Sequence, residues 1–193
     1  MSRLLVIRHG ATDWNAAGLM QGHADRPLSN AGREQFRSVR LPPGWAGAVC
    51  LSSPLARAME TARLLGLEPK PEPRLIEMDW GEWEGRSLKE LRAEQRQAMA
   101  ENEARGLDFR PAGGESPRDV QERLKPLLAG LSSATVAVTH KGVLRALYAL
   151  ATGWNMKEKS PSKLIDDCAH AFHVAADGTP SVAELNIPLR HGP

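Results

Sequence analysis

Short apolar runs alternate with helix-like patterns along most of this chain. Residues 3–7, 48–52 and 134–139 are predominantly apolar, which is typical of buried strands. Two weaker strands are predicted near 171–175 and 181–185. Strands that alternate with helices predict an α/β fold, a three-layer sandwich in which helices cover both faces of a mixed, mostly parallel sheet. The two late strands need not be parallel to the others.

Capping residues mark the helix starts in the first half of the chain. Ser29 predicts a helix that extends to about Arg40, and the long turn-rich stretch before it is typical of a functional loop. Ser53 and Pro54 predict a helix start directly after the second strand, and Gly66 predicts where that helix ends.

Three further helices are predicted from Ser87 onward. Ser87 and Glu90 form a capping-box pattern for a helix that extends to about Arg105. Ser116 is the expected cap of the next helix, because it precedes Pro117 and an apolar stripe. The last helix begins directly after the third strand, where apolar positions recur at helical spacing.

Composition indicates one globular domain over residues 1–193. The content of 41% hydrophobic and 25% charged residues suits a chain that buries its own core. A net charge of +2 without a long run of one sign argues against nucleic acid or a membrane as partner. Cys50 and Cys168 are too few for a disulfide framework, and the first apolar run is too short for a signal peptide. A cytoplasmic protein is expected.

Reactive side chains follow the three strongest predicted strands. Arg8 and His9 come directly after the first strand, Arg57 follows the second, and His140 follows the third. Because ligands of open α/β sheets bind at the carboxyl ends of the strands, we expect these side chains to lie close together. Two arginines and two histidines indicate an anion site, and phosphate is the obvious anion because the planar fork of donors on each guanidinium suits it.

The expected chemistry at this site is phosphoryl transfer to His9. Two neighbouring cations disfavour protonation of His9, so its ring should be neutral and able to attack phosphorus. Arginines then stabilise the transition-state charge, and no metal ion or cofactor is expected. Gly10 either lets a phosphate approach the imidazole or makes a tight turn.

A leaving alcohol also needs a proton, and four carboxylates are candidates for the donor. Glu77, Asp79, Glu82 and Glu84 lie within one short segment, and composition alone does not distinguish them. The same carboxylate would then activate water for the second half of the reaction.

Together these motifs resemble the histidine phosphatase superfamily, also called the phosphoglycerate mutase-like family. The resemblance spans most of the chain and is highly specific in combination, although Arg-His-Gly alone would be a weak signal. It rests on residues 5–15 (LVIRHGATDWN), 21–22 (QG), 27–32 (PLSNAG) and 52–62 (SSPLARAMETA).

The resemblance implies a role for each candidate residue. It implies that His9 becomes phosphorylated and that Glu77 is the acid. One departure is Lys141, because many relatives have glycine after the second histidine. We hypothesise that its ammonium lies near the pocket and favours substrates with a second negative group; the alternative is that it points into solvent. The residues implied to hold the phosphoryl group or the substrate are Arg8, Arg57, His140, Asn15, Gln21 and Gly22.

The function expected from this resemblance is hydrolysis of a small phosphomonoester. Transfer of the phosphoglycerate mutase type is the alternative within the family, although dedicated mutases are generally longer than this chain. A non-catalytic module that only binds phosphorylated partners is a second alternative. Neither the physiological substrate nor the oligomeric state follows from the sequence.

Overall fold

A six-stranded mixed sheet lies at the centre of the structure, a computed structural model that describes residues 1–191. A separate two-stranded ribbon pairs β2 (Val39–Arg40) with β8 (Arg190–His191). The strands of the central sheet are β1 (Ser2–Arg8), β3 (Val49–Ser52), β4 (Lys70–Pro71), β5 (Thr135–Thr139), β6 (Cys168–Val174) and β7 (Pro180–Pro188).

The strand order is β4-β3-β5-β1-β6-β7, and the first four strands of that order are parallel. Strands β6 and β7 are the two predicted late strands, and both pair antiparallel. In the parallel part, Arg8 lies opposite Thr139 and Ser52 lies opposite Val138. The carboxyl ends of β1, β3 and β5 therefore meet at one edge of the sheet.

Helices cover both faces of the sheet, as predicted. Leu4 and Val6 of β1 belong to the core cluster on one face, whereas Leu5 and Ile7 belong to the cluster on the other. This alternation follows from the two-residue period of a strand. The α-helices are α1 (Asp13–Ala16), α2 (Asn30–Phe36), α3 (Ala56–Leu64), α4 (Leu88–Glu94), α5 (Arg96–Glu103), α6 (Pro117–Ala129) and α7 (Lys141–Thr152).

Two helices in the first half differ from the prediction. Helix α2 ends at Phe36 rather than Arg40, because Ser38 has a positive φ of 61° and the chain then enters β2. Helix α3 begins at Ala56, so Ser53 is not its N-cap residue. Residue Leu55 holds the capping position without a side-chain hydrogen bond.

The helix predicted from Ser87 to about Arg105 is two helices. The capping box of Ser87 and Glu90 forms as expected, but the backbone leaves helical geometry at Gln95, which has φ −124° and ψ 41°. Helix α6 begins with the predicted cap at Ser116. Among the described residues, no helix combines the length and the hydropathy that crossing a bilayer requires.

Candidate active site

The shared sheet edge brings His9, Arg57 and His140 together. The N–H of His9 donates to the Thr139 carbonyl over 2.9 Å, which extends the β1–β5 ladder by one residue. The N–H of Ser53 likewise donates to the Val138 carbonyl over 2.9 Å. The rings of His9 and His140 consequently lie with their centroids 4.9 Å apart.

Hydrogen bonding defines which nitrogen of His9 is free. Its Nδ1 lies 2.7 Å from the Gly10 carbonyl oxygen, which can only accept, so Nδ1 carries the proton. Burial, followed by the charges of Arg8 and Arg57, lowers the pKa of His9 from 6.5 to about 3. The imidazole is therefore neutral near pH 7, and Nε2 retains a bare lone pair for attack on phosphorus.

Arg57 is fully buried and crosses from α3 to the loop after α1. Its terminal nitrogens donate to the carbonyls of Ala24 over 2.8 Å and Gly22 over 2.7 Å. Its Nε donates to Nδ1 of His140 over 3.3 Å. These bonds use one N–H of each terminal nitrogen, so one N–H on each remains for an anion.

The bond from Arg57 also determines the tautomer of His140. Because Nδ1 accepts, Nε2 carries the proton and donates to Oγ of Ser53 over 2.7 Å. Burial and the neighbouring His9, Arg57 and Arg8 hold the pKa of His140 well below its ordinary value. His140 is thus a neutral donor in this site, and Ser53 orients it instead of capping α3.

One nitrogen of the Arg8 guanidinium is paired with an acidic residue, and another has no partner. Its NH1 lies 2.5 Å from Oδ2 of Asp166, while its buried Nε has no hydrogen-bond partner within the described chain. Buried donors in native structures are nearly always satisfied, so an orphan Nε beside His9 indicates a place for an anion.

Asp166 was missed by the sequence analysis, because it lies in an irregular segment without a motif. Asp166 also pairs with Nζ of Lys141 over 3.1 Å, so the ammonium expected near the pocket is partly neutralised.

Glu77 lines the same cleft as the arginines. Its side chain is buried, with Oε1 accepting from the N–H of Met78 over 2.8 Å and Oε2 accepting from the N–H of Gly142 over 3.2 Å. Backbone donors on both oxygens fix the position of the carboxyl group. Helix α7 therefore supports Glu77 through the residue that follows Lys141.

The other three carboxylates of the segment have different positions. Asp79 accepts from the N–H of Gly81 over 2.8 Å, and Glu82 is exposed. Glu84 accepts from the backbone N–H groups of His23 and Ala24, the latter over 3.1 Å, and so anchors the loop that carries them. Of the four, Glu77 alone lines the cleft.

Asn15 and Gln21 present their amide nitrogens to the cleft. Oδ1 of Asn15 accepts from the N–H of Thr12 over 3.0 Å, and Oε1 of Gln21 accepts from the Thr12 hydroxyl over 2.9 Å. Because the oxygens are held by Thr12, the NH₂ group of each amide is left to donate to a ligand. Both residues line the cleft.

The two glycines near the site are required by packing. Gly22 has φ +49°, and a Cβ there would lie 1.9 Å from Oε1 of Glu84. A Cβ on Gly10 would lie 2.9 Å from the Gly32 carbonyl oxygen and 3.1 Å from the Phe36 ring. Gly10 therefore permits close packing of α2, whereas the sequence analysis expected it to make room for phosphate or to form a tight turn.

The cleft has a volume of about 610 Å³, within the range that suits small-molecule ligands. Arg8, His9, Arg57, Glu77 and Lys141 all line it. Of these, His9, Arg57 and Glu77 are buried, whereas Lys141 is exposed. His140 is completely buried behind them. The arrangement provides a nucleophile, two cations, several neutral donors and a carboxyl group, which are the groups that phosphoryl transfer requires.

Comparison with known proteins identifies relatives over nearly the whole chain. The sequence profile of the histidine phosphatase superfamily (branch 1) matches residues 4–188. The adenosylcobalamin/alpha-ribazole phosphatase of Escherichia coli (strain K12) is 36% identical over 165 residues, covering 78% of this chain and 79% of the relative. The 2,3-bisphosphoglycerate-dependent phosphoglycerate mutase of Methylobacterium radiotolerans is 33% identical over 173 residues, covering 79% and 81%.

A solved structure shares the fold. Mycobacterial glucosyl-3-phosphoglycerate phosphatase, in complex with VO3, has a TM-score of 0.80 and 26% sequence identity to this chain. The match covers 97% of this chain and 100% of that structure. The family match and the structural match therefore both cover almost all of the described residues.

Proposed function

This chain belongs to the histidine phosphatase superfamily and is a phosphoric monoester hydrolase, and we propose that it hydrolyses a small phosphomonoester without a metal ion, through a phosphohistidine at Nε2 of His9. The observation that carries the proposal is the neutral His9, whose Nδ1 proton is held by the Gly10 carbonyl while Nε2 stays free. The orphan Nε of Arg8 supports an oxyanion at the same place.

In the first step, Nε2 of His9 forms a bond to phosphorus while the bond to the alcohol oxygen breaks. Arg8 and Arg57 neutralise the non-bridging oxygens, and Nε2 of His140 turns from Ser53 to donate to one of them. The positive charge that develops on His9 is stabilised through its Nδ1 hydrogen bond. Protonated Glu77 delivers its proton to the leaving alcohol oxygen.

In the second step, water replaces the alcohol. The carboxylate of Glu77 takes a proton from water as the water oxygen bonds to phosphorus and the bond to Nε2 of His9 breaks. Inorganic phosphate leaves, His9 returns to its neutral form, and Glu77 is protonated for the next cycle. The carboxyl group of Glu77 thus donates a proton in the first step and accepts one in the second.

The volume of the cleft supports a small-molecule substrate, since about 610 Å³ accommodates a metabolite. The relatives named above act on small phosphorylated compounds according to their names. We propose that residues 1–193 act as one domain in this reaction, because the two largest core clusters of the described residues share the central sheet.

The test is hydrolysis of 4-nitrophenyl phosphate by purified protein in excess chelator. We expect full activity in chelator and inhibition by vanadate, because arginines supply the positive charge and vanadate resembles the transition state. Activity that disappears in chelator and returns with a divalent ion would contradict the metal-independent mechanism.

Mutase-type transfer is the second candidate, because a relative of that name is 33% identical to this chain. The two reactions share the first step and differ in whether water or a second hydroxyl accepts the phosphoryl group. Release of inorganic phosphate from phosphoglycerates, measured beside isomer formation, distinguishes them. We expect phosphate release to dominate.

A further inference from the structure

The cleft carries more positive charge than a phosphoryl group requires. Arg8 and Arg57 lie at the phosphoryl site, and four further cations line the cleft outside it. Glu77 and Glu103 are the acidic residues in its lining. The four outer cations are Arg92, Lys141, Arg145 and Lys157.

Two of the outer cations form ion pairs. NH2 of Arg92 lies 2.7 Å from Oε1 of Glu103, and Nζ of Lys141 lies 3.1 Å from Oδ2 of Asp166. Arg145 makes no hydrogen bond or ion pair with any described residue. The ammonium of Lys157 likewise has no acidic oxygen within ion-pair distance in residues 1–191, although its charge interacts with that of Asp108. Arg145 and Lys157 are therefore the two outer cations without an ion pair among the described residues.

Arg145 is held in place by an aromatic ring. Its guanidinium carbon lies 5.2 Å from the centroid of Trp154, a cation–π distance. The indole is itself fixed, because its N–H donates to the Glu158 carbonyl over 3.0 Å. Arg145 follows Lys141 by four residues on α7, which places it about 6 Å further along the helix axis from the phosphoryl site.

An apolar wall lines the same cleft. Trp80 and Phe109 pack edge to face with their centroids 6.2 Å apart. Such a wall suits the body of a substrate that lies between the phosphoryl site and the outer cations. The apolar lining side chains include Leu19, Met20, Trp80, Leu88, Phe109 and Met156.

We propose that Arg145, assisted by Lys157, forms a second anion subsite, so that the substrate is a phosphomonoester whose alcohol has an apolar body and a further carboxylate or phosphate group. The proposal rests on the phosphatase function proposed above. The second anion lies about one helical turn along α7 from the phosphoryl group. Arg145 is a specificity residue in this account and takes no part in the bond-breaking steps.

The test compares two aromatic esters of matched shape. 4-Carboxyphenyl phosphate carries the second anion, and 4-(methoxycarbonyl)phenyl phosphate lacks it. The ratio of their kcat/KM values is measured for wild type, Arg145→Gln and Arg145→Lys at low salt. Arg63→Gln is the matched control, since Arg63 is an exposed arginine on α3 that does not line the cleft.

We expect Arg145→Gln to lower the ratio about tenfold through KM, the size expected for one charge-assisted hydrogen bond. Arg145→Lys should restore part of the ratio, Arg63→Gln should match wild type, and added salt should reduce the difference. An unchanged ratio in Arg145→Gln would overturn the subsite. Benzene-1,4-diyl bisphosphate completes the series, and the ester with the larger dependence on Arg145 identifies the second group.

Calorimetry separates this proposal from the proposed function. The same esters are titrated into His9→Ala, with and without Arg145→Gln, so that the result does not depend on turnover. An Arg145-dependent affinity without turnover in wild type would support the subsite and contradict the phosphatase mechanism. Turnover with equal affinities for both esters would support the mechanism and overturn the subsite.

Discussion

Gly142→Ala should displace the proposed acid without removing it. A Cβ at this position would lie 2.5 Å from Oε1 of Glu77 and 3.2 Å from Cβ of Met78. Since carbon and oxygen normally approach to about 3.3 Å, the carboxyl group must move by about 0.8 Å. The fold should tolerate the change, because the closest clash falls on the end of the Glu77 side chain, the contact with Cβ of Met78 needs a shift of only a few tenths of an ångström, and alanine favours a helix over glycine by up to about 1 kcal/mol.

A displacement of this size should weaken proton transfer more than phosphoryl binding. We expect kcat for alkyl phosphates to fall between about 10-fold and 100-fold, whereas 4-nitrophenyl phosphate, a good leaving group, should lose less than about threefold. Glu77→Gln should show the same dependence on the leaving group more strongly.

The assay is steady-state kinetics over a series of esters with increasingly basic leaving alcohols, with thermal unfolding as the measure of fold. Gly130→Ala is the control, because a Cβ there would have its nearest contacts at 3.4 and 3.5 Å. Equal losses for good and poor leaving groups in Gly142→Ala would refute the assignment of Glu77 as the proton donor.

Two further predictions concern the charged groups around His9. Because the pKa of His9 is about 3 in the folded chain against 6.5 ordinarily, the unfolded state binds more protons between these values. The contribution of neutral His9 to the free energy of unfolding should be complete above about pH 6.5 and should decrease as the pH falls toward 3. The decrease should be shallower in His9→Ala than in wild type. An identical pH dependence of the melting temperature in the two proteins would contradict this. Asp166→Asn removes the negative charge beside Arg8 and Lys141, and should tighten inhibition by inorganic phosphate about fivefold at low salt. Weaker inhibition would show that Asp166 chiefly orients Arg8.

The parts of the fold predicted from sequence were those with strong local signals. Strands β1, β3 and β5 are continuous apolar runs, and the cap at Ser116 is a local motif, so both were predicted correctly. The family resemblance is confirmed as well. The break at Gln95 was missed because nothing in the local sequence interrupts the helical pattern.

The sequence predicted only those site residues that stand at strand ends or within motifs. Arg8, His9 and His140 follow apolar runs directly, so the topology alone brings them together. Ser53 and Asp166 act through partners distant in the chain, and such contacts leave no periodicity or spacing to detect. The main reason for the low pKa of His9 is burial, which depends on the completed fold.

The most direct test of the account is to trap the phosphorylated enzyme. Wild-type protein is mixed with excess 4-nitrophenyl phosphate, quenched at alkaline pH within milliseconds to seconds, digested and analysed by mass spectrometry. The account predicts an acid-labile phosphoryl group on His9, attached at Nε2, and no adduct in His9→Ala. Turnover without any phosphoryl group on His9, or an adduct on another residue, would contradict it.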